Sequence, residues 1–355
     1  MFDERNVSSL SIPYWEAVYR TELMPGVISI VAIHDITLGP ALGGCRMALY
    51  RNEAEALTDV LRLSRGMTFK NAVADLPLGG GKSLLICDPT VAGQEREQIL
   101  IEYGKFLTWV NRQSDRYSGA EDMNTTVADM HVVKHHTRHI TGIDVDPSPY
   151  TAWGVYEAMA HCVRTFAGDL FDGNGELAGK KVLIQGLGKV GTTLLEYLTR
   201  AGAQVYVSDV NQNALARARS INPSLIEVPV DGILNVAVDI FAPCAGGEVV
   251  TTANLDQLQF KVICGAANNQ LQREELGAAL QSKGIVYCPD YIANMGGVCA
   301  IQFLEIEKMS DEAAKTRIGE TVRRRLDQTI AISREQGIPY NVAVDRGIKQ
   351  AVWGR

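Results

Sequence analysis

The segment over residues 181–209 constrains the fold most strongly, because two strand patterns flank a glycine turn and a helical pattern. Lys181–Gln185 and Gln204–Ser208 are short, largely apolar runs that predict strands. Between them, three glycines in the spacing G-x-G-x-x-G precede a helical pattern over 192–200. Strand, turn, helix and strand in this order predict a doubly wound parallel sheet of the Rossmann type.

The turn in this segment predicts a dinucleotide site. Glycines here permit a tight turn and let a pyrophosphate approach the helix N-terminus closely. Asp209, 23 residues after the first glycine, can accept hydrogen bonds from ribose hydroxyls and would repel a 2′-phosphate, so NAD is favoured over NADP. Lys189 follows the second glycine, and two positions are open to it: its side chain either contacts the pyrophosphate or points to solvent. The predicted cofactor-binding residues of this segment are Gly186, Gly188, Lys189, Val190, Gly191 and Asp209. A glycine-bearing turn without a ligand is the alternative interpretation.

Three further strand patterns extend the same sheet, at 238–242, 261–264 and 285–288. Each ends in a polar or glycine-rich stretch. In an open parallel sheet the carboxyl ends of the strands form the ligand crevice. These loops are therefore expected to face the nicotinamide half of the cofactor.

A second glycine-rich stretch, residues 70–83, predicts a small-molecule site rather than a phosphate loop. Lys70 and Lys82 bracket an apolar segment and three consecutive glycines. The Walker pattern fails because its first glycine is missing and because the residues after Lys82 have the pattern of a strand over 83–87. We expect the glycines to let backbone approach a small ligand closely, with Lys82 performing chemistry.

The remaining N-terminal patterns surround this stretch with helices and strands. Residues 12–24 have a weak helical pattern, and the glycine-rich residues 38–46 predict a loop. The other predicted elements are a strand over 26–34, a helix from the N-cap Asn52 to Gly66, a helix over 95–112 and a helix that begins near Asn124 or Thr125.

Composition bounds the class of protein. The chain of 355 residues is long enough for two domains, and its 34 basic against 41 acidic residues give a net charge of −7, which argues against nucleic acid as a partner. The N-terminus lacks a basic segment leading into an apolar run, so no signal peptide is expected. No stretch approaches the ~20 apolar residues that a membrane span requires.

Cysteine and histidine usage predicts a cytoplasmic protein without a metal site. The seven cysteines are scattered without any C-x-x-C pair, which indicates reduced thiols. Lys134 and Arg138 lie among the histidines at 131, 135, 136 and 139 and would repel a cation. These histidines also lack the H-E-x-x-H arrangement of a zinc site.

Short motifs spread along nearly the whole chain carry a family resemblance. They are LGPALGG at 38–44, RGMTFK at 65–70, GGGK at 79–82, GAED at 119–122, GLG at 186–188, FAPCA at 241–245, ANNQ at 267–270 and PDY at 289–291. Together and in this order they resemble the Glu/Leu/Phe/Val dehydrogenase family, specifically its leucine, valine and phenylalanine dehydrogenase branch. The resemblance implies NAD-linked, reversible oxidative deamination of an L-amino acid to its 2-oxo acid and ammonia, in a cleft between two domains.

The resemblance also assigns roles to single residues. Lys70 resembles the lysine that pairs with the substrate carboxylate, and Asn269 resembles the asparagine that assists it. Lys82 resembles the catalytic lysine, and Asp122 the carboxylate that shuttles protons with it. The residues that resemble cofactor-side positions are Thr151, Cys244, Ala245 and Asn268. The expected substrate pocket comprises Leu42, Gly43, Met67, Ala120, Ile292 and Ala293.

The residues of the expected pocket disfavour one class of substrate and leave two classes as candidates. Leu42, Ala120 and Ile292 offer no partner for a side-chain carboxylate, which disfavours glutamate. Ala120 resembles the residue of leucine enzymes. Ala293 stands where relatives usually have Val or Ile, and Met295 where they usually have Ala, and Ala293 would enlarge the pocket. Branched-chain and aromatic amino acids therefore both remain candidates.

The chemistry required by deamination agrees with these roles. A nearby second lysine and burial on domain closure disfavour protonation of Lys82, so that the neutral amine could activate water to attack an imine. Asp122 would move protons with it, and closure would exclude bulk water. The alternative function is a catalytically silent NAD-binding sensor or scaffold on the same fold, which has no need of Lys70 and Lys82 held together.

These arguments predict an α/β chain of two domains with the active-site cleft between them. Residues 1–147 are expected to form a substrate-binding and oligomerisation domain with a mixed sheet, and residues 331–355 to pack back on it. Residues 148–330 are expected to form the NAD-binding Rossmann domain. We expect a homo-oligomer, dimer or octamer, with an amino acid, its 2-oxo acid and ammonia as small-molecule partners.

Overall fold

The structure, a computed structural model, describes residues 2–173 and 175–354. The chain divides into two units, Met1–Asp146 and Pro147–Arg355, each with its own sheet. The division falls in a proline-containing segment just before a helix that has Pro149 in its first turn.

The first unit is built on a mixed sheet. Its strands are β1 (Ser8–Leu10), β2 (Ala17–Met24), β3 (Val27–Asp35), β4 (Ala41–Ala48), β5 (Gly79–Ile86) and β6 (Tyr117–Glu121). They lie in the order β1-β2-β3-β5-β4-β6. The strand β4 pairs in parallel with β5 and β6, whereas β3 pairs antiparallel with β2 and β5.

Helices cover both faces of this sheet. They are α1 (Glu53–Val73), α2 (Gly93–Val110) and α3 (Val127–Lys134), preceded by a 3-10 turn over Glu4–Asn6. Ala56 and Val60 of α1 pack on one face, and Tyr103 and Phe106 of α2 pack on the other. The predicted cap of α1 is confirmed, since Oδ1 of Asn52 accepts a hydrogen bond from the Glu55 N–H at 2.9 Å. The helix continues beyond its predicted end as far as Val73, the end at which Lys70 lies.

Two predictions for the first unit are wrong. Residues 17–24 of the predicted helix form β2, in which Val18 and Leu23 are buried in the hydrophobic clusters on opposite faces of the sheet. Residues 41–46 of the predicted loop belong to β4, and pairing with β5 and β6 on its two sides satisfies their backbone groups. Glycine gives a segment little local preference, so the neighbouring strands decide its conformation.

The second unit contains a parallel sheet. Its strands are β7 (Lys181–Gln185), β8 (Gln204–Ser208), β9 (Ile226–Glu227), β10 (Ile240–Pro243), β11 (Val262–Ile263) and β12 (Val286–Tyr287). They lie in the order β12-β11-β10-β7-β8-β9. The order reverses between β7 and β10, which is the doubly wound arrangement with its ligand crevice at the reversal. The predicted fold class, a mixed sheet followed by a Rossmann sheet, is confirmed.

The helices of the second unit flank and follow this sheet. They are α4 (Ser148–Thr165), α5 (Lys189–Arg200), α6 (Gln212–Ile221), α7 (Leu276–Ser282), α8 (Asp290–Ala293), α9 (Gly296–Ala300), α10 (Asp311–Gln336) and α11 (Tyr340–Trp353), with a π-helical turn over Ile301–Ile306 and 3-10 turns over Val230–Asn235 and Leu255–Gln257. Among the described residues, no helix combines the length and the apolar character that a membrane span needs.

The C-terminal residues 331–355, expected to pack back on the first domain, belong to the second unit. There α11 lies against α10, α7 and β12, and Nδ2 of Asn341 donates to the Glu274 carbonyl at 3.0 Å. The apolar face of α11, with Ala343, Val344 and Ile348, is buried. These contacts hold α11 to the other elements of the second unit.

Candidate active site

Lys82 and Asp122 form an ion pair at the centre of the candidate site in the first unit. The Nζ atom of Lys82 lies 2.8 Å from Oδ1 of Asp122, and Lys82 is 5% exposed. Lys82 projects from β5, and Asp122 follows directly after β6. The sheet thus brings into direct contact two predicted site residues that are far apart in the sequence.

A glycine on the intervening strand permits this contact. Gly44 of β4 pairs with Ala120 of β6, and the register of β4 with β5 places it beside Lys82. A Cβ atom on Gly44 would lie 2.7 Å from Cβ of Asp122 and 2.7 Å from the Glu121 carbonyl oxygen. A larger residue at position 44 would therefore clash with Asp122 and would disturb its contact with Lys82.

Arg46 makes a second ion pair with the same carboxylate. It lies on β4, and its Nε donates to Oδ2 of Asp122 at 3.1 Å. Its Nη1 donates to Oδ2 of Asp59 on α1 at 3.0 Å, and the Tyr50 hydroxyl donates to that same Asp59 oxygen at 2.7 Å. Lys82 and Arg46 therefore occupy different oxygens of Asp122.

The two cations determine the charge of Asp122. Burial by itself would raise the pKa of this carboxyl, but the charge and hydrogen bond of Lys82, together with the charge of Arg46, outweigh it and lower the pKa of Asp122 to about 2. Asp122 is therefore a carboxylate across the whole range in which enzymes usually work.

The three glycines before Lys82 are strand residues of β5, and the chain that approaches them is the protein itself. A Cβ on Gly80 would lie 2.0 Å from the Thr68 backbone nitrogen, and one on Gly79 would lie 2.1 Å from the Asp35 carbonyl oxygen. Nδ2 of Asn71 also donates to the Gly79 carbonyl at 2.6 Å. The expectation that these glycines make room for a ligand is corrected accordingly: Gly80 lets the end of α1 pack directly on β5, Gly79 admits the end of β3, and Gly81 admits the ring of Tyr117.

This packing places Lys70, which is half-buried, on the last turns of α1 between two residues that contact the glycines. One of them, Thr68, shares a 2.8 Å hydrogen bond between its Oγ1 and Nδ1 of His34. Burial lowers the pKa of His34 to about 4, so the ring is neutral at pH 7. The second lysine is thus carried by a helix end that is fixed to β3 and β5.

The expected pocket residues of the first unit lie on different faces of the sheet. Leu42 and Ala120 are buried on the face that carries Lys82, and Met67 is half-buried on α1. Gly43 lies on the opposite face, where a Cβ would be 1.7 Å from the Gly81 carbonyl oxygen. Gly43 can therefore contribute only backbone to a site at Lys82.

In the second unit, the predicted dinucleotide turn has the required backbone geometry. Gly186 has a φ of +96°, and a Cβ on Gly191 would lie 1.9 Å from the Gly186 carbonyl oxygen. A Cβ on Gly188 would meet no atom of the described residues within 4 Å, which leaves open space at the start of α5. Lys189 and Val190 begin that helix, with Lys189 exposed.

Asp209 stands at the carboxyl end of β8, as predicted from its position after the first glycine. Its Oδ2 accepts a hydrogen bond from the Leu187 N–H at 2.6 Å, and its Oδ1 accepts one from the Asn211 N–H at 2.7 Å. The carboxylate is thereby tied to the glycine turn and remains partly exposed.

These features fit a dinucleotide. The glycine turn leaves space at Gly188 where a side chain would stand, and the first N–H groups of a helix, which have no partner within the helix, can donate to a pyrophosphate. The partly exposed carboxylate beside them has oxygen lone pairs for ribose hydroxyls. Gly186, Gly188, Val190, Gly191 and Asp209 are the residues that would hold it.

The remaining predicted residues lie at the ends of neighbouring strands or on helices of the second unit. Ala245 contacts the turn, since a Cβ on Gly186 would lie 2.7 Å from Cβ of Ala245. The Cys244 N–H donates to the Gln185 carbonyl at 2.7 Å, and burial raises the pKa of the Cys244 thiol to about 11. Thr151 of α4 donates its hydroxyl to the Pro147 carbonyl at 3.0 Å.

The asparagine pair after β11 is held in a specific conformation. Oδ1 of Asn268 accepts a hydrogen bond from Nδ2 of Asn294 at 2.9 Å. Asn269 has a φ of +52°, and its N–H donates to Oδ2 of Asp290. A non-glycine residue in the left-handed region is a strained conformation of the kind found at functional sites. Ile292 and Ala293 of α8, from the expected pocket, are fully buried.

Sequence reasoning missed Arg46, Asp59 and Tyr50. Arg46 ends the glycine-rich segment over 38–46, which was interpreted as a loop, so the alternation of side chains along a strand was not applied to it. An arginine within an otherwise apolar and glycine-rich strand is the signal that would have identified it. The histidines at 135, 136 and 139 lie beyond the end of α3, and within the described residues no group of three or more His, Cys, Asp or Glu side chains is arranged to hold a metal ion.

Comparisons with known proteins agree with this architecture. Residues 11–139 match the family described as Glu/Leu/Phe/Val dehydrogenase, dimerisation domain, and residues 208–346 match Glutamate/Leucine/Phenylalanine/Valine dehydrogenase. The chain is 40% identical to the leucine dehydrogenase of Geobacillus stearothermophilus over 345 residues, covering 96% of this chain and 90% of that protein. It is 38% identical to the valine dehydrogenase of Streptomyces albus over 340 residues, covering 92% of this chain and 88% of that protein.

A solved structure is similar over the same length. The crystal structure of L-tryptophan dehydrogenase from Nostoc punctiforme matches with a TM-score of 0.81 at 34% identity, covering 96% of each chain. Two matching family segments, high coverage of curated relatives and a shared fold all point to one group of enzymes. The chain belongs to the Glu/Leu/Phe/Val dehydrogenase family.

Proposed function

We propose that this protein catalyses the NAD-dependent, reversible oxidative deamination of an apolar L-amino acid to the 2-oxo acid and ammonia. The observation that carries the proposal is the buried pair of Lys82 and Asp122, 2.8 Å apart. Binding a dinucleotide needs no such pair, so it disfavours a catalytically silent NAD-binding sensor or scaffold. Removal of an amino group as ammonia, by contrast, needs a positioned base.

Lys70 and Lys82 take different tasks in this reaction. Lys70, at the end of α1, pairs with the substrate carboxylate and fixes the amino acid. Asn269, held with a positive φ, assists by donating from its side-chain amide. Fixing the carboxylate of a small substrate in this way converts the later steps into reactions within one complex.

Lys82 is the proposed base and Asp122 its partner. The amine of Lys82 takes a proton from the water that attacks the imine and later returns a proton to the departing ammonia. Because the pKa of Asp122 is about 2, this carboxylate stays ionised at the working pH. It therefore orients Nζ of Lys82 and holds a proton only transiently. Their direct contact lets a proton move between the two groups without rearrangement.

The second unit is the proposed NAD-binding domain, over 148–330. Bound NAD supplies an acceptor for the hydride that leaves the α-carbon. The turn over 186–191 would hold the pyrophosphate and Asp209 the ribose. Thr151, Cys244, Ala245 and Asn268 are the proposed nicotinamide-side residues, and Lys189 is an exposed cation at the start of α5 for a phosphate oxygen.

The substrate class follows from the apolar residues of the expected pocket. Leu42, Ala120, Ile292 and Ala293 are buried and carry no charge. A substrate with a side-chain carboxylate would leave that charge unpaired, at a cost of several kcal/mol. The similarity to enzymes named for leucine, valine and tryptophan supports branched-chain or aromatic amino acids.

The test measures turnover with a panel of amino acids by the absorbance of the NADH that forms. Leucine, valine, isoleucine, phenylalanine and tryptophan are offered separately with NAD, with glutamate as the charged control. We expect turnover with at least one apolar amino acid and a kcat/KM for glutamate at least about a hundredfold lower. An absence of turnover with every member of the panel would refute the enzyme assignment.

We further propose that residues 1–147 form the substrate-binding domain and mediate assembly into a homo-oligomer, a dimer or an octamer. The name of the family segment matched at residues 11–139 includes dimerisation and supports this proposal. Light scattering during gel filtration tests it. The seven free thiols support a reducing, cytoplasmic location, which fractionation of the source cells would check.

A further inference from the structure

The carboxylate of Asp122 is shared between two cations that have different properties. Lys82 binds Oδ1 at 2.8 Å and can lose its proton, whereas Arg46 binds Oδ2 at 3.1 Å and is always charged. Each oxygen has one ion-pair partner, so the guanidinium does not compete with Lys82 for position. Its positive charge does, however, offset part of the negative charge of Asp122 that acts on Lys82, because both cations lie beside the same carboxylate.

Arg46 is itself held at its far end. Its Nη1 binds Oδ2 of Asp59 at 3.0 Å, and Tyr50 donates to that oxygen at 2.7 Å. Asp59 lies on α1 and Tyr50 follows β4, so the guanidinium is fixed between the helix and the strand. With its side chain only 20% exposed, Arg46 acts at short range with limited screening by solvent.

We infer that Arg46 is a positioning residue of the proposed reaction: it fixes Asp122 and offsets its charge, so that Lys82 can release its proton and act as a base. This inference deepens the proposed function and rests on it. Without Arg46, the full charge of Asp122 would act on Lys82 and hold the ammonium form. The acid limb of the pH profile for deamination would then move to higher pH.

A histidine, a cysteine and two tyrosines near the pair are uncharged through most of the pH range of interest. Burial lowers the pKa of His34 to about 4 and raises that of Cys45 to about 12, and burial also raises the pKa values of Tyr50 and Tyr117. The charged side chains on the elements packed against the pair are Arg46 of β4, Asp35 of β3, Glu121 of β6 and, on α1, Glu53, Glu55, Asp59, Arg62, Arg65 and Lys70. Arg46 and Asp59 are the ones connected to Asp122 by the ion pairs described above. A displaced pH profile in an Arg46 or Asp59 variant therefore reports the charge that was removed.

The experiment compares kcat and kcat/KM for deamination from about pH 7 to about pH 11 in wild type, Arg46→Gln and Asp59→Asn. Removing the positive charge in Arg46→Gln should raise the midpoint of the acid limb by about one pH unit. Removing the negative charge in Asp59→Asn should lower it by about half a unit or less, since this charge is farther away. Opposite signs are expected from electrostatics and are not expected from structural damage.

Further readouts separate positioning from a general loss of structure. At neutral pH, kcat of Arg46→Gln should fall about tenfold, and most of this loss should be recovered at high pH, while KM for the amino acid changes less than about twofold. Arg46→Lys keeps the charge and should restore most of the wild-type midpoint. The matched control is Arg51→Gln, an exposed arginine after the same strand that pairs only with Glu55 among the described residues and should leave the profile unchanged.

Two outcomes would overturn the inference: an Arg46→Gln midpoint identical to wild type, or a rate that is lowered equally at every pH. If Arg46→Gln does not fold, the sign of the shift in Asp59→Asn decides. If the wild type turns over no amino acid, the proposed function fails, and competitive acetylation of Lys82 with acetic anhydride then tests Arg46 separately. Mass spectrometry should show half-maximal labelling of Lys82 at higher pH in Arg46→Gln, and equal labelling curves would refute the inference.

Discussion

The two glycine-rich stretches of this chain, 79–81 and 186–191, look alike in the sequence and differ in what surrounds them. The glycines at 79–81 have extended backbone within β5, and atoms of the protein itself, including Thr68 of α1 beside Gly80, occupy the space where their side chains would stand. In the second stretch, Gly186 has a φ of +96° and the position of a side chain at Gly188 is open. The first stretch uses small size for internal packing, and the second leaves room for a ligand.

This difference separates the roles proposed for the two stretches. In β5 the close packing of α1 positions Lys82 and, through the helix end, Lys70. In the turn after β7 the backbone itself is the proposed binding group, because the first N–H groups of a helix have no partner within the helix and the space at Gly188 is open. A glycine-rich motif therefore acquires its function from the elements that pack against it.

The largest expected effect comes from removing the group that β5 delivers. Lys82→Ala should lower kcat by at least about a thousandfold, because no other group would take protons at that position. Binding of NADH, measured by its fluorescence, should be retained, since the turn over 186–191 is unchanged. The matched control is Lys349→Ala, which replaces an exposed lysine of α11; this variant should have the kcat of the wild type. Substantial activity in Lys82→Ala would contradict its assignment as the base.

A pair of alanine substitutions tests the comparison directly. Gly80→Ala places a Cβ 2.0 Å from the Thr68 backbone nitrogen, so the free energy of unfolding should fall by about 3 kcal/mol. Gly188→Ala meets no atom of the described residues within 4 Å, and the free energy of unfolding should change by less than about 0.5 kcal/mol.

The same pair should behave in the opposite way towards the cofactor. Gly188→Ala fills the space proposed for the pyrophosphate and should raise KM for NAD about tenfold or more. Urea denaturation and cofactor titration measure the two effects. Equal loss of stability in both variants would show that the two stretches do not differ as described.

The buried histidine beside the first stretch gives a pH-dependent effect on stability. Burial lowers the pKa of His34 from 6.5 to about 4, so between these values the unfolded chain binds a proton that the native ring does not. The free energy of unfolding should therefore decrease as the pH falls from about 6.5 to about 4, with about 2 kcal/mol of this decrease due to His34.

The variant His34→Gln keeps a hydrogen-bonding partner for Thr68 and cannot take up a proton. Its free energy of unfolding, measured by urea denaturation across the same pH range, should lack that part of the decrease. A pH dependence equal to that of wild type would show that His34 does not differ in protonation between the folded and unfolded chain.

The smallest expected effect concerns the choice of cofactor at the second stretch. Asp209→Ala removes the carboxylate that would repel a 2′-phosphate, and the ratio of kcat/KM for NAD over NADP should fall about tenfold. The loss of the hydrogen bond to the Leu187 N–H should also loosen the turn. Kinetics with both cofactors provide the measurement, and an unchanged ratio would remove the ribose role from Asp209.

Prediction from sequence was most successful where the determinants are local. The bounds of β7 and β8 and the N-cap Asn52 of α1 were predicted correctly, because short apolar runs and capping side chains act within a few residues. The helix assigned to 12–24 and the loop assigned to 38–46 were wrong, because both segments take their conformation from strand partners. Arg46 was missed as part of the site for the same reason.

By itself, the sequence determined the glycine turn with its following helix, the carboxylate after β8 and the presence of one lysine in each of two family-like motifs. Only the tertiary structure decided that β4 is a strand and that Lys82 and Asp122 meet across Gly44. It also decided that Arg46 joins Asp122 to Asp59. The physical reason is the range of the interactions: turn and cap preferences act between neighbours in the chain, whereas strand register and ion pairs depend on residues that only folding brings together.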